Sequence, residues 1–205
     1  MTFRPFLLVS LVVALLGACA ESPPRRLHVL AADFPPATGG EARVLVELLP
    51  VVFPERLNRL DLVLEPSGAP LSVRESERWA APLPDEMRQI LADALWAGLG
   101  AQDVYRAPVD PRSTRLPLLR LAVRIERFEA GDQARVEASW TVRRLPDGPP
   151  LACRRLVETP VSAPTADAAV AALGRSAGQI AILLAASLDA FTRGEGGACE
   201  AEPRR

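Results

Sequence analysis

Residues 119–143 constrain the fold of this chain more than any other stretch, because they alternate with a period of two on both sides of one turn. In the first half, Leu119, Leu121, Val123 and Ile125 take one side, while Arg120, Arg124 and Glu126 take the other. Ala130-Gly131-Asp132 reads as a turn. Beyond it, Val136, Ala138, Trp140 and Val142 oppose Arg135, Glu137, Ser139, Thr141 and Arg143. Successive side chains of a strand point to opposite faces, so this pattern predicts two strands with one buried and one solvated side each. Paired antiparallel, their apolar sides coincide, and the rest of the chain must cover them.

Two helical patterns supply that cover. Residues 165–191 repeat apolar side chains along one face, through Val170, Leu173, Ala177, Ile180, Leu184, Leu188 and Phe191. Gly174 and Gly178 lie inside this pattern, where each costs roughly 1 kcal/mol relative to alanine. Their spacing of four puts both on one side and predicts close packing against a sheet, the alternative being simple tolerance. An earlier helix is predicted over residues 85–99, with Met87, Ile90, Leu91, Ala94 and Leu95 on one face. Pro84 sits in its first turn, where a missing amide hydrogen costs nothing, Asp85 and Glu86 complement the positive helix end, and Gly98 and Gly100 stop it.

The remaining strands are weaker. Leu27-His28-Val29-Leu30 opens the domain, and residues 43–49 alternate toward a second strand. Pro50 and Pro54 bracket Val51-Val52-Phe53, which reads as a sharp bend. Residues 61–65 and 71–75 form a candidate hairpin around Pro66-Ser67-Gly68. Residues 103–106 are a short strand candidate, and residues 151–159 form a third strand after the turn at Pro146-Asp147-Gly148-Pro149. The expected fold is α/β of the α+β kind: a single domain over residues 27–191, with an antiparallel or mixed sheet carrying two amphipathic helices on one face.

The amino-terminal stretch has the grammar of an export signal. Arg4 is followed by an apolar run from Phe6 to Leu16, broken only by Ser10, and Leu16-Gly17-Ala18-Cys19 closes it. About a dozen apolar residues fall short of the roughly 20 that cross a bilayer. The closing tetrad resembles the lipobox of bacterial lipoproteins, in which the cysteine thiol takes a diacylglycerol, the preceding peptide is removed and the new amino terminus is acylated. The other reading is an ordinary signal peptide that contains a cysteine. On the lipobox reading residues 1–18 are the signal, Cys19 is the lipidation site, and residues 19–26 are a short proline-bearing tether to the membrane. Residues 192–205, rich in glycine, read as a flexible tail unless Cys199 ties them down.

Acylation of Cys19 leaves Cys153 and Cys199. In an exported chain these are either a disulfide or two free thiols. A bond would close a loop of about 46 residues and contribute on the order of 3–4 kcal/mol.

Little in the sequence points to catalysis or to a cofactor. A formal charge of −1 and a pI near 6.0 give no global field for nucleic acid. His28, the one histidine, reads as an ordinary strand or surface residue. No Cys-x-x-Cys or His-x-x-x-His spacing offers a metal site, and no phosphate-binding glycine loop or Gly-x-Ser-x-Gly elbow occurs. The carboxylate pairs Asp85 with Glu86 and Glu126 with Glu129 sit at a helix start and on a strand's polar side, where solvated charge is the default. Two readings stand for Arg120, Arg124, Arg135 and Arg143: an ion-pair ladder with Glu126 and Glu137, or a docking surface for an acidic partner or a lipid headgroup. Trp79, beside prolines, is a candidate interface residue.

Three motifs carry a family resemblance. Arg78-Trp79-Ala80-Ala81-Pro82-Leu83 precedes the first helix. Residues 119–129 end in Arg127-Phe128-Glu129, and Val136-Glu137-Ala138-Ser139-Trp140 follows. In this order they resemble the PqiC-like auxiliary lipoproteins of ABC-type intermembrane transport systems. The family's Tyr-Tyr-x-Leu opening is Leu27-His28-Val29-Leu30 here, and its Tyr-Leu-Asp-Arg-Pro-Gln stretch is matched only by residues 54–60. The resemblance implies a periplasm-facing lipoprotein that works with a bridging MCE-domain protein and its membrane subunits, assembles as a homo-oligomeric ring, and helps to move lipid. Ala20 after the cysteine implies sorting to the outer membrane. The rival reading is a structural assembly or pilot lipoprotein of another envelope complex.

Overall fold

The computed structural model describes residues 24–34, 40–64, 72–110 and 113–200. Cys19, the signal, most of the tether, the turn at Pro66-Ser67-Gly68 and the last five residues lie outside the described residues. In chain order the elements are β1 (Arg26–His28), β2 (Val44–Leu48), β3 (Asp61–Leu64), β4 (Ser72–Trp79), α1 (Leu83–Leu99), β5 (Ala101–Asp103), β6 (Leu118–Ala130), β7 (Gln133–Arg144), β8 (Leu151–Pro160) and α2 (Ala166–Arg193).

The expected hairpin is the centre of a five-stranded sheet ordered β5-β2-β6-β7-β8. Strands β6, β7 and β8 are antiparallel, while β2 runs parallel to both β5 and β6. A bulge between Ile125 and Arg127 inserts Glu126 as an extra residue. After it the inward positions become Phe128 and Ala130, so one face of the long strand stays apolar throughout. That face is covered by α2, which packs on β6, β7 and β8, while α1 packs on α2 and β5.

The strands do not form one sheet, as the alternation alone suggested. A second sheet, ordered β1-β4-β3, pairs β1 parallel to β4 and β4 antiparallel to β3. An edge-on aromatic contact joins the two sheets, with Phe128 of β6 and Trp79 of β4 6.2 Å apart between ring centres, and Phe128 also meets Phe53 edge-on at 5.5 Å. The predicted bend at Pro50 is also revised. The chain continues along the edge of β6, with Val52 N–H donating to Val123 O at 3.1 Å and Ile125 N–H donating to Val52 O at 2.8 Å. It turns only at Glu55–Leu57. Strand β5 begins two residues earlier than expected, because Gly100 in the left-handed region (φ 63°) ends α1 and feeds directly into it.

Polar clamps lock these layers. Arg88 of α1, almost fully buried, donates to Leu48 O of β2 at 2.7 Å and to Asp103 Oδ2 of β5 at 2.5 Å. Arg43 Nε donates to Leu99 O at 2.9 Å, satisfying a terminal carbonyl of α1. Helix α2 starts at Thr165, whose hydroxyl accepts from Ala168 N–H at 3.2 Å. By length and composition α2 could cross a membrane, yet most of its apolar length is buried against the sheet.

Gly174 and Gly178 do mark a close approach, but not to a sheet. A Cβ on Gly174 would lie 2.1 Å from Ala31 O, and one on Gly178 would lie 2.8 Å from Ala32 Cβ. The neighbour is the segment that follows β1. After α2, residues 194–200 are held to the fold: Ala198–Glu200 forms a short 3-10 turn, and Cys199 is bonded to Cys153 of β8.

Candidate functional site

Helix α2 covers one face of the large sheet and leaves the other open. The strand register arranges that open face as rows running across the strands. The first row is Glu47, Arg120 and Arg143. The second is Ala122, Thr141 and Ala152, all exposed. Then come Arg124, Ser139 and Arg154, next Arg127, Glu137 and Leu156, and last Glu129, Arg135 and Glu158. Alternation dictates this layout, because the members are the outward positions of strands whose intervening residues are buried or half-buried.

Charge on the face is largely paired. Arg120 Nε donates to Glu47 at 2.6 Å, Arg124 Nε to Glu126 at 3.2 Å, and Arg135 Nε to Glu158 at 2.7 Å. Glu137 receives both Arg154, at 2.7 Å, and Arg127, at 3.1 Å. The hydrogen bond from Arg154 holds the Glu137 carboxyl below the usual carboxylate range. Glu126 is lowered as well, first by the Ser139 hydroxyl at 2.7 Å and then by Arg124. Arg143, opposite Arg120, forms no ion pair with a carboxylate among the described residues.

A shallow hollow of about 470 Å³ opens on the same face, lined in part by Leu49, Pro50, Val52, Ala122, Arg124 and Thr141. Val52 is 48% exposed at its margin. A second hollow, about 460 Å³, lies between the small sheet and the start of α2, with Arg74 and Asp132 among its lining residues.

The sequence-derived candidates separate. Arg120, Arg124 and Arg143 come together around the Ala122 row, whereas Arg135 lies two rows beyond Arg124 and is engaged by Glu158. The ladder also differs from the expected pairing, since Glu47 and Glu158, from β2 and β8, join Glu126 and Glu137. Arg154 belongs with the first group and was missed, although counting parity from a buried Cys153 assigns it outward. Trp79 is corrected: it is 3% exposed, the one buried residue of β4, and packs in the core against Phe128. Cys153 and Cys199 form a disulfide with an S–S distance of 1.98 Å, on the side of β8 away from Arg154.

His28 is more constrained than an ordinary surface residue. It is 8% exposed, and its Nε2 lies 2.5 Å from Glu77 Oε2 on β4. Arg26 reaches Asp167 of α2 at 2.8 Å, so this group ties β1 to both β4 and α2. The carboxylates tested for acid–base work also have partners: Asp85 pairs with Arg106 at 2.7 Å and Glu129 with Arg56 at 3.7 Å. Burial pushes the Glu86 carboxyl up. Among the described residues no group of three or more His, Cys, Asp or Glu side chains is arranged to hold a metal ion.

Solved structures share this architecture. One, of an uncharacterized protein, superposes with a TM-score of 0.63 at 17% identity, covering 80% of this chain and 99% of its own. Another, from Xanthomonas campestris and described under the family name DUF330, gives 0.64 at 15% identity, covering 82% of this chain and 98% of its own. At such identity they speak for the fold alone. No curated protein matches the chain in sequence. The family model of the ABC-type transport auxiliary lipoprotein component matches residues 28–185, most of the described fold, and the chain belongs to that family.

Proposed function

We propose that this chain is an outer-membrane-anchored lipoprotein on the periplasmic face, a non-catalytic component of an MCE-type intermembrane lipid transport system that docks the bridging MCE-domain protein. The observation that carries this reading is the open, arginine-bearing face of the large sheet in a chain of the transport auxiliary lipoprotein family. A face built on three long antiparallel strands and backed by a 28-residue helix is rigid, which suits recognition of another surface. Its contribution is positional. Acyl chains on Cys19 hold the domain at the bilayer, lasting attachment needing two chains or more, and the open face receives the partner.

The test is crosslinking in native envelopes, followed by pull-down of the acylated protein and mass measurement of the complex. Recovery of an MCE-domain protein with transporter subunits is the expected result, and the mass gives the copy number against the ring implied by the resemblance. Recovery of a secretin or a barrel protein instead would replace this reading with that of an assembly lipoprotein.

A further inference from the structure

We infer that the row Ala122, Thr141 and Ala152, between its two arginine-bearing neighbours, is a seat for an acidic protein segment: an apolar ridge flanked by carboxylates on both sides. This deepens the docking proposal above and rests on it. Three observations define the seat. Its floor is made of small exposed side chains from three adjacent strands, so a partner's backbone can come close. One wall holds Arg120 and Arg143, the other Arg124 and Arg154. Its end is closed by the apolar lip of Leu49, Pro50 and Val52, the last 48% exposed.

Geometry selects the occupant. Rows two residues apart along a strand are separated by about 7 Å, so the two arginine walls stand about 14 Å apart. That gap admits a ridge of about the girth of one α-helix, 10–12 Å. A single phosphate offers only a few oxygens to these four guanidinium groups, whereas a ridge with carboxylates on both flanks meets both walls at once. A second copy of the same face fits badly as well, since it would bring arginine against arginine.

Charge selects it further. Of the four wall arginines, Arg120 pairs with Glu47 and Arg124 with Glu126, Arg154 shares Glu137 with Arg127 of the next row, and Arg143 forms no ion pair with a carboxylate among the described residues. Arg120, Arg124 and Arg154 each donate to their carboxylate through Nε, one of five N–H donors of the guanidinium. The terminal nitrogens remain for bidentate contact with incoming carboxylates. Farther along the sheet, Arg135 sits between Glu129 and Glu158 in its row, so the positive excess is confined to the seat.

A photo-crosslinking side chain at Thr141 of the full acylated protein, in native envelopes, tests this directly. The expected adduct is a peptide of an MCE-domain protein with Asp or Glu on both flanks of an apolar core. Its yield should fall at least tenfold in Arg124→Glu/Arg154→Glu and rise or fall less than twofold in Arg135→Glu. A milder pair, Arg124→Gln/Arg154→Gln, checked for an unchanged melting temperature, keeps the test valid if charge reversal disturbs folding. Adducts to lipid or to a second copy, adducts to a segment without acidic flanks, or a yield that survives both double variants would overturn the seat. If the pull-down recovers an MCE-domain protein while Thr141 gives no adduct, the seat fails and the docking proposal stands. An acidic adduct from a protein without an MCE domain has the opposite meaning.

Discussion

The indole N–H of Trp140 on β7 donates to the hydroxyl of Ser187 on α2 across 3.0 Å, with both side chains buried. Ser187 in turn donates to Leu184 O at 2.8 Å within its own helix. This is a polar joint between the long helix and the sheet, and Ser176 farther up the helix makes another by donating to the Thr159 hydroxyl of β8 at 2.7 Å. The bond from Trp140 to Ser187 ties the helix to the sheet face that carries the buried apolar residues of β6 and β7.

Removing that joint from the helix side leaves a buried donor unsatisfied. Ser187→Ala should cost about 1–3 kcal/mol and lower the melting temperature by several degrees. Paired with Trp140→Phe in a double-mutant cycle, the two losses should be clearly non-additive. Additive losses in thermal melts would mean that the hydrogen bond contributes nothing beyond packing.

Glycine in a helix interior normally yields stability when replaced by alanine, by roughly 1 kcal/mol. At Gly174 the sign should reverse, because the new Cβ would meet Ala31 O, a backbone atom, at 2.1 Å. Urea unfolding of Gly174→Ala should show a loss of about 1–3 kcal/mol. Gly196→Ala, where nothing lies within 4 Å, is the control and should stay within about 0.5 kcal/mol of the parent.

The bond between Cys153 and Cys199 spans 46 residues and holds the end of the described chain on β8. Cys153→Ala/Cys199→Ala should therefore lose about 3–4 kcal/mol in denaturant unfolding. Amide exchange should quicken in residues 194–200 and stay unchanged in β6 and β7. A variant as stable as the parent would show that the bond adds little to the fold.

Glu137 and Glu126 both have folded-state pKa values below their unfolded ones. The unfolded chain then binds more protons on acidification, so the stability these groups contribute is complete above the unfolded value. It is lost as pH falls through the lower folded value. Unfolding measured from pH 7 down to pH 3 should show stability falling below about pH 4–5. In Glu137→Gln that fall should be shallower, and raised salt should shrink the difference between the two proteins. An identical slope in both would dissociate the ion pair from acid stability.

The legible part of this fold was its local part. Strands β6 and β7 could be read from Leu119 to Val142 because period two is written into side chains only two residues apart. Helix ends were legible for the same reason, with Pro84 and Gly100 acting within a turn of their own positions. What escaped depends on partners distant in sequence. Nothing near Arg26–His28 announces a parallel pairing with Glu77–Trp79, so the division into two sheets was invisible. That division is what turns Trp79 inward onto Phe128. The spacing of Gly174 and Gly178 signalled a close approach, but only the fold identifies Ala31 and Ala32 as the neighbours. The candidate seat was half legible: Arg120, Arg124 and Arg143 stood out by alternation, while the register that adds Arg154 and sets Arg135 apart depends on β8.

The central claim is that this chain contributes position, so the most direct measurement is the fate of the domain when its anchor is removed. Cys19→Ser should be recovered from the soluble periplasmic fraction, fold with the parent's melting temperature, and lose both its envelope complex and its function. The parent should stay with membranes and carry diacylglycerol on Cys19 by mass spectrometry. A Cys19→Ser protein that remains membrane-bound, assembled and active would contradict the account.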